Sequence, residues 1–146
     1  MGRVKLKFPD DNPLFTTTIS VRIGDINYGN HVGNDAILSI IQEARVQMLH
    51  KYGYDEKHID GMGLIMADVM ISYRGEAFYG DALAVSIYVD EITPKSFDLL
   101  YDITTMRNGQ KIAIAQAKTG MACFDYTTRK ITNMNVALKK VLTVAD

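Results

Sequence analysis

Apolar residues recur along this chain with two different periods, and the longer period occupies one segment. From Asn34 to Tyr52 they return every three or four positions, which predicts an amphipathic α-helix of about five turns. Asn34 or Asp35 can cap the start of this helix, and Gly53 is a natural stop. The apolar positions cover more than a narrow stripe, which is typical of a helix wrapped by a sheet.

Most of the remaining chain has the two-residue period of half-buried β-strands. One predicted strand precedes the helix and four follow it, at residues 16–23, 64–73, 82–92, 97–103 and 111–124. Asn108-Gly109 is a strong signal for a tight hairpin between the last two strands, and a short helix is predicted at 136–142. Because strands joined by tight turns pair antiparallel, we predict an α+β fold with the long helix on one face of a sheet of about five strands.

Length and composition narrow the class of protein. With 146 residues, of which 47% are hydrophobic and 23% charged, the chain is typical of one globular domain spanning residues 1–146. The formal charge of −1 gives no support for a nucleic-acid binder, and no apolar run approaches the ~18 residues of a membrane span. The single cysteine, Cys123, fits a reducing compartment, so we expect a cytoplasmic protein that does not associate with a membrane.

The pattern of residues gives no signal for a bound cofactor. The three histidines and Cys123 show no metal-ligand spacing. No glycine loop of the nucleotide-binding kinds occurs in the chain. We therefore expect neither a metal nor another cofactor.

The densest group of glycines and short polar side chains lies directly before the long helix, in the segment GDINYGNHVGN at 24–34. A helix N-terminus presents unpaired N–H groups and a partial positive charge, which can polarise a carbonyl group and position a water molecule. Gly29 and Gly33 permit close approach of the backbone. His31 can donate to a carbonyl or orient a water, and Asn27 can hold either one by hydrogen bonds. The alternatives are structural: an Asx turn at Asn27 and a locally satisfied histidine at the cap.

Two blocks of the sequence match one known pattern. The first, DINYGNHVGN at 25–34, is followed in the helix by Glu43-Ala44-Arg45, and the second is ISYRGEAFYGD at 71–81. In this order, and with these elements around them, the blocks resemble the acyl-CoA thioesterases of the hotdog superfamily, which include the 4-hydroxybenzoyl-CoA thioesterase type. The resemblance covers roughly residues 15–126. It implies a hotdog fold and hydrolysis of acyl-CoA or acyl-carrier-protein thioesters by a homodimer or homotetramer with sites at the subunit interface.

Position 27 departs from the family pattern. In many relatives an aspartate acts there as nucleophile or general base, whereas the amide of Asn27 can neither take a proton at neutral pH nor act as an ordinary nucleophile. The order Gly29-Asn30 also inverts the pair common in that loop. Glu43 resembles the helix glutamate that is the base in some hotdog thioesterases, and we rank it narrowly above Asp25. The structural alternatives are an exposed helix glutamate and a carboxylate that caps a turn.

We therefore predict four catalytic residues and six substrate contacts. The catalytic residues are Asp25, Asn27, His31 and Glu43. The substrate contacts are Tyr28, Gly29, Val32, Gly33, Asp68 and Ser72. Asp68 interrupts an apolar strand and shares its parity with Ser72, so the two either line the partner side of the cleft or face solvent. The candidate phosphate contacts include Arg74, Lys95 and Arg129.

The amide at position 27 keeps a second function open, namely a non-catalytic protein that binds acyl-CoA or an acyl carrier on the same scaffold. A hotdog hydratase is a third and weaker alternative, because the loop resembles that of the thioesterases. Turnover of any thioester separates the enzyme from the binding protein.

Overall fold

One antiparallel sheet and one long helix make up most of the chain that this computed structural model describes, residues 5–143. The elements are β1 (Phe15–Ser20), a 3-10 turn (Ile23–Asp25), α1 (Asn34–His50), β2 (Gly63–Tyr73), β3 (Ala82–Asp90), β4 (Ser96–Arg107), β5 (Gln110–Asp125), β6 (Lys130–Ile131) and α2 (Val136–Val141). The strand order is β1-β3-β4-β5-β2, with the two-residue β6 paired to the end of β5. This arrangement confirms the predicted α+β architecture.

Asn108 and Gly109 form the hairpin between β4 and β5, as the sequence predicts. Both have positive φ, 54° and 75°, which is typical of the hairpin turns that follow the right-handed twist of paired strands. The pairing of the two strands begins next to this turn, at Arg107 opposite Gln110. β4 therefore runs beyond the predicted range of 97–103, because its polar last residues are held by β5.

α1 lies against one face of the sheet and buries the apolar stripe that the sequence predicts. Ile41 and Leu49 are fully buried and belong to the same core as the inner face of the strands. Full burial of such a side chain contributes about 1.5–3 kcal/mol. Gly53, with φ of +81°, ends the helix, and the N–H of Tyr54 donates back to the carbonyl of Leu49. No helix within residues 5–143 combines the length and the apolar character needed to cross a membrane.

One charged side chain of α1 also faces the sheet. Arg45 is buried, and its Nε donates to Glu56 Oε1 at 2.6 Å while Nη1 donates to Tyr101 Oη at 3.0 Å. Tyr101 Oη lies 2.8 Å from Thr119 Oγ1, so two neighbouring strands contact the same guanidinium network. Because Tyr101 and Thr119 face α1, strand residues of the opposite parity, such as Lys118, lie on the outer face of the sheet.

Candidate active site

The loop between the 3-10 turn and α1 is held at both ends by backbone hydrogen bonds. The N–H of Asn27 donates to the carbonyl of His31 at 3.0 Å, which closes the loop on itself. The N–H of Val32 donates to the carbonyl of Ala77 at 2.8 Å, which fastens the loop to the segment after β2. The two sequence blocks that carry the family resemblance are therefore joined directly in space.

Asn27 adopts the Asx turn that we gave as its structural alternative. Its Oδ1 accepts the N–H of Gly29 at 2.8 Å, which fixes the orientation of the side-chain amide. The other end of the amide, Nδ2, lies 3.8 Å from the position that a Cβ on Gly33 would occupy. Nδ2 itself donates no hydrogen bond to any group within the described part of the chain. The side-chain amide of Asn27 therefore lies close to the start of α1 and keeps two unused donor hydrogens.

The first turn of α1 also keeps unused donors. The N-cap is Gly33 rather than the predicted Asn34 or Asp35, and a glycine has no side chain to accept the N–H groups of the first turn. The N–H groups of Ala36 and Ile37 donate to the carbonyl of Gly33, whereas those of Asn34 and Asp35 have no acceptor among residues 5–143. The helix start is therefore ready to bind a partial negative charge.

His31 is held in one tautomer when it is neutral. Its Nδ1 lies 3.1 Å from the carbonyl oxygen of Val32, and a carbonyl can only accept, so Nδ1 carries the proton. Nε2 then has the lone pair and can accept a hydrogen bond from water. A neutral ring in this tautomer cannot donate from Nε2 to a substrate carbonyl, so the geometry favours the water-orienting role of the two that the sequence predicts.

His31 lines a cavity of about 240 Å³ at this end of the sheet. The polar side of the cavity is formed by His31, Asn34, Tyr73 and Glu76, and its apolar side includes Ile114. Tyr73 Oη donates to the carbonyl of Asn34 at 3.2 Å. Partial burial, and after it the nearby carboxylate of Asp35, raises the pKa of Tyr73, so this phenol stays protonated at neutral pH.

Asp25 and Glu43 lie together in a different opening, a groove of about 520 Å³ between β1 and α1. Glu43 Oε2 accepts from Gln47 Nε2 at 2.9 Å, and Gln47 in turn accepts the hydroxyl of Thr17. Asp25 is buried, and its carboxylate accepts the N–H of Arg22 at 2.9 Å. None of these residues lines the cavity of His31. The structure thus places Asp25 and Glu43 in one opening and His31 in another, while Asn27 lines neither.

Asp68 and Ser72 lie on the outer face of the sheet, away from α1. Asp68 Oδ1 accepts from Lys118 Nζ at 2.8 Å and from the N–H of Gly120 at 3.0 Å. The hydrogen bond from Lys118 holds the pKa of Asp68 below its usual value. Ser72 is buried on the same face. The two side chains lie on one face of β2, as the sequence predicts, but the structure does not bring them to the loop before α1.

The remaining predicted contacts are spread over the molecule. Tyr28 is fully exposed at the tip of the loop, directly before Gly29. Arg74 follows β2, and its Nε is buried without a hydrogen-bond partner among residues 5–143. Lys95 and Arg129 lie at the opposite end of the sheet, close to the last residues of β5. One copy of the chain therefore does not gather the three cations around one site.

Tyr73 and Glu76 are two polar residues of the cavity that sequence reasoning missed. Both belong to the second block, 71–81, which we used only as a family pattern. The available signal was the presence of both blocks in one family pattern, because two blocks that serve the same site are expected to lie close together in the fold. Within the described chain no three acidic, histidine or cysteine side chains converge as metal ligands would.

The family model of the thioesterase-like superfamily matches residues 21–142. The chain belongs to this superfamily. It is 26% identical over 127 residues to the long-chain acyl-CoA thioesterase FadM of Escherichia coli, covering 86% of this chain and 95% of that protein. The membership confirms the resemblance to thioesterases that the two sequence blocks carry.

Solved structures agree with the sheet and the helix described above. The 1,4-dihydroxy-2-naphthoyl-CoA thioesterase Slr0204 of Synechocystis superimposes with a TM-score of 0.77 at 21% identity, covering 88% of this chain and 94% of that one. An aspartate-to-asparagine mutant of 4-hydroxybenzoyl-CoA thioesterase, complexed with 4-hydroxybenzoyl-CoA, gives a TM-score of 0.78 at 16% identity, with coverage of 88% and 98%. These similarities confirm the hotdog fold.

Proposed function

We propose that this protein hydrolyses acyl-CoA thioesters at the N-terminus of α1. The observation that carries the proposal is the presence of unused donors at this helix start: the N–H groups of Asn34 and Asp35 and the nearby Nδ2 of Asn27. Attack on a thioester carbonyl moves negative charge onto its oxygen, and donors fixed in advance stabilise that charge. Each such donor contributes roughly 10²–10³-fold to kcat in enzymes where it has been removed.

The cavity of about 240 Å³ beside these donors provides a place for the attacking water. A water molecule takes up about 30 Å³ in the liquid, so several fit. His31 Nε2 can accept one hydrogen of such a water and orient it. Glu43 and Asp25 stay predictions as the general base, but they line the groove between β1 and α1 and not this cavity.

The proposed substrate class rests on the relatives and on one cation. FadM is named a long-chain acyl-CoA thioesterase, and the two solved structures are named for aromatic CoA thioesters. Coenzyme A carries phosphate groups, which arginine side chains bind well. Arg74, whose Nε has no partner in the described range, lies directly before the cavity-lining Gly75. Acyl-carrier-protein thioesters share the same thiol arm and are the alternative substrate.

We propose further that the active form is at least a homodimer formed through β2, with a tetramer as its doubled form. β2 is an eleven-residue edge strand that exposes Met66, Val69 and Met70, each to about 40%. Such an edge is a template for pairing with another strand. Two copies of β2 related by a two-fold axis pair antiparallel, so the Gly63 end of one copy would lie beside the Tyr73 end of the other.

This pairing would also bring the phosphate-binding cations together. In one copy, Arg74 and the pair Lys95 and Arg129 are separated by the length of β2, roughly 35 Å at about 3.3 Å per residue. In the dimer, the Lys95 and Arg129 end of one copy would approach the Arg74 end of the other. We accordingly place the sites at the subunit interface of a cytoplasmic enzyme with one domain over residues 1–146.

A non-catalytic acyl-CoA binding protein is the second candidate. The observation that favours it is Asn27, whose Oδ1 is occupied by the Asx turn and which offers no base at the family's catalytic position. Such a protein would bind the thioester with the same donors and release it unchanged.

A hydrolysis screen decides between the two functions. Purified protein is mixed with short, medium and long straight-chain acyl-CoAs, with aromatic acyl-CoAs and with acyl-carrier proteins, and the released thiol is followed with a thiol reagent. Cys123 is fully buried, so the protein itself contributes little signal. We expect turnover of at least one acyl-CoA. Measurable binding without turnover of any thioester would contradict the enzyme and support the binding protein.

A further inference from the structure

We propose that Glu76 is the carboxylate that activates the hydrolytic water. This inference rests on the proposed function and adds a catalytic residue to it. Glu76 lines the cavity of about 240 Å³ together with His31 and Asn34. Among the described residues that line this cavity, Glu76 is the one with a carboxylate side chain. A general base has to lie within hydrogen-bond reach of the attacking water, directly or through one further water.

The backbone around Glu76 is fixed from two sides. Its carbonyl accepts from Arg107 Nη2 at 3.1 Å, and the carbonyl of the next residue, Ala77, accepts the N–H of Val32 at 2.8 Å. The second of these bonds ties Glu76 to the same loop that carries His31. The position of Glu76 relative to the start of α1 is therefore set by the contact between the two sequence blocks.

The carboxylate of Glu76 has no partner within the described chain, in contrast to those of Asp25 and Glu43. Arg107 donates to the backbone carbonyl of Glu76, but its charge is balanced by Asp81, whose Oδ2 lies 2.7 Å from Arg107 Nη2. Asp25 is bonded to the N–H of Arg22 and Glu43 to Gln47. An acceptor that is not already occupied can take a hydrogen bond, and then a proton, from water.

The other acid near the site is less well placed. Asp35 lies in the first turn of α1, and its Oδ1 is 2.7 Å from the position that a Cβ on Gly33 would take. This carboxylate therefore points back at the helix start, and Asp35 does not line the cavity. A negative charge there would oppose the charge that develops on the substrate oxygen. Glu76, an exposed residue, lines the same cavity as Asn34, the first residue of α1.

The proposed step uses Glu76 twice. Glu76 removes one proton from water while the water oxygen forms a bond to the thioester carbonyl carbon, and the carbonyl electron pair moves to its oxygen beside Asn27, Asn34 and Asp35. The tetrahedral intermediate then re-forms the carbonyl and breaks the carbon–sulfur bond. The sulfur leaves with that electron pair and takes the proton back from Glu76. Water and thioester are thereby converted to carboxylic acid and thiol, with Glu76 restored.

The test compares Glu76→Gln with the wild-type protein on the best substrate of the hydrolysis screen. We expect kcat to fall at least ~100-fold with little change in KM, because the amide keeps the shape of the side chain and removes the base. Glu91→Gln is the matched control, since Glu91 is exposed like Glu76, lies in the turn between β3 and β4 and lines neither opening. Its kcat should stay within about twofold of wild type.

A second variant separates a base from a merely structural residue. Glu76→Ala opens space in the cavity wall, and added formate should restore a measurable part of kcat in this variant without accelerating the wild type. Near-normal turnover by Glu76→Gln, with the loss found instead in Glu43→Gln or Asp25→Asn, would overturn the assignment while leaving the thioesterase function intact. Absence of turnover by the wild type would overturn both the assignment and the proposed function.

Discussion

Replacing Asn27 with aspartate restores the family's usual residue and changes one functional group, an amide NH₂ to a carboxylate oxygen. We expect the Asx turn to survive the change, because Oδ1, which accepts the N–H of Gly29 at 2.8 Å in the wild type, is kept. What disappears is the Nδ2 donor, 3.8 Å from the Cβ position of Gly33. A negative charge takes its place at the start of α1. The variant therefore removes a donor from the proposed oxyanion site without disturbing the loop.

The two consequences of Asn27→Asp have opposite signs. Loss of one donor at an oxyanion site lowers kcat by roughly 10²–10³-fold, or about 2.7–4 kcal/mol of transition-state stabilisation. A carboxylate at a helix N-terminus stabilises the folded protein by about 0.3–1 kcal/mol. We thus expect slower hydrolysis together with an unchanged or slightly raised Tm. The substitution loses activity even though it recreates the residue that serves many relatives as a base.

The assay is steady-state hydrolysis of one acyl-CoA combined with thermal unfolding by calorimetry. Asn30→Asp is the matched control, since Asn30 lies exposed on the same loop and its φ of 65° is one that aspartate tolerates. This control introduces the same charge and keeps Asn27, so kcat should change less than about threefold. An Asn27→Asp variant as fast as wild type, or faster, would refute the role of the amide as an oxyanion donor.

Three further predictions concern stability, thiol chemistry and assembly. Glu56→Ala leaves the buried guanidinium of Arg45 unpaired and should cost about 3 kcal/mol in urea unfolding; a loss under about 1 kcal/mol would contradict the buried pair. Burial raises the pKa of Cys123 to about 11, so the folded thiol should resist thiol reagents at pH 8. The stability that the protonated thiol contributes below pH 9 should be lost as the pH rises towards 11, and Cys123→Ala should not show this contribution to the fall in stability at alkaline pH. Val69→Lys should give a monomer with little activity in light scattering and hydrolysis assays, whereas Ile131→Lys on the exposed β6 should remain assembled and active.

The sequence was sufficient for the features that depend on neighbouring residues. The period of α1, the stop at Gly53 and the hairpin at Asn108-Gly109 all follow from local chemistry, and each is found where the sequence places it. The two-residue β6 was missed because a pair of residues has no period, and it exists only through its pairing with Phe124 and Asp125. The N-cap of α1 is Gly33, one residue before the first predicted candidate, Asn34. A glycine at this position has no capping side chain, so the sequence carries no signal for it.

The sequence also located the segment before α1, with its glycines, amide and histidine, as the place for carbonyl chemistry. It left undecided which side chains share an opening. A period of two assigns Asp68 and Ser72 to one face of β2, but the packing of α1 on Tyr101 and Thr119 decides that this face is the outer one.

Only the tertiary structure decided the composition of the candidate site. The bond from Val32 to Ala77 spans 45 residues of chain, and it places Glu76 beside His31 while Glu43 opens into the groove on the side of β1. The direction of a loop side chain is set by such distant contacts, which no local pattern encodes. The sequence therefore determined the kind of chemistry at the start of α1, and the fold determined which acidic residue shares its cavity.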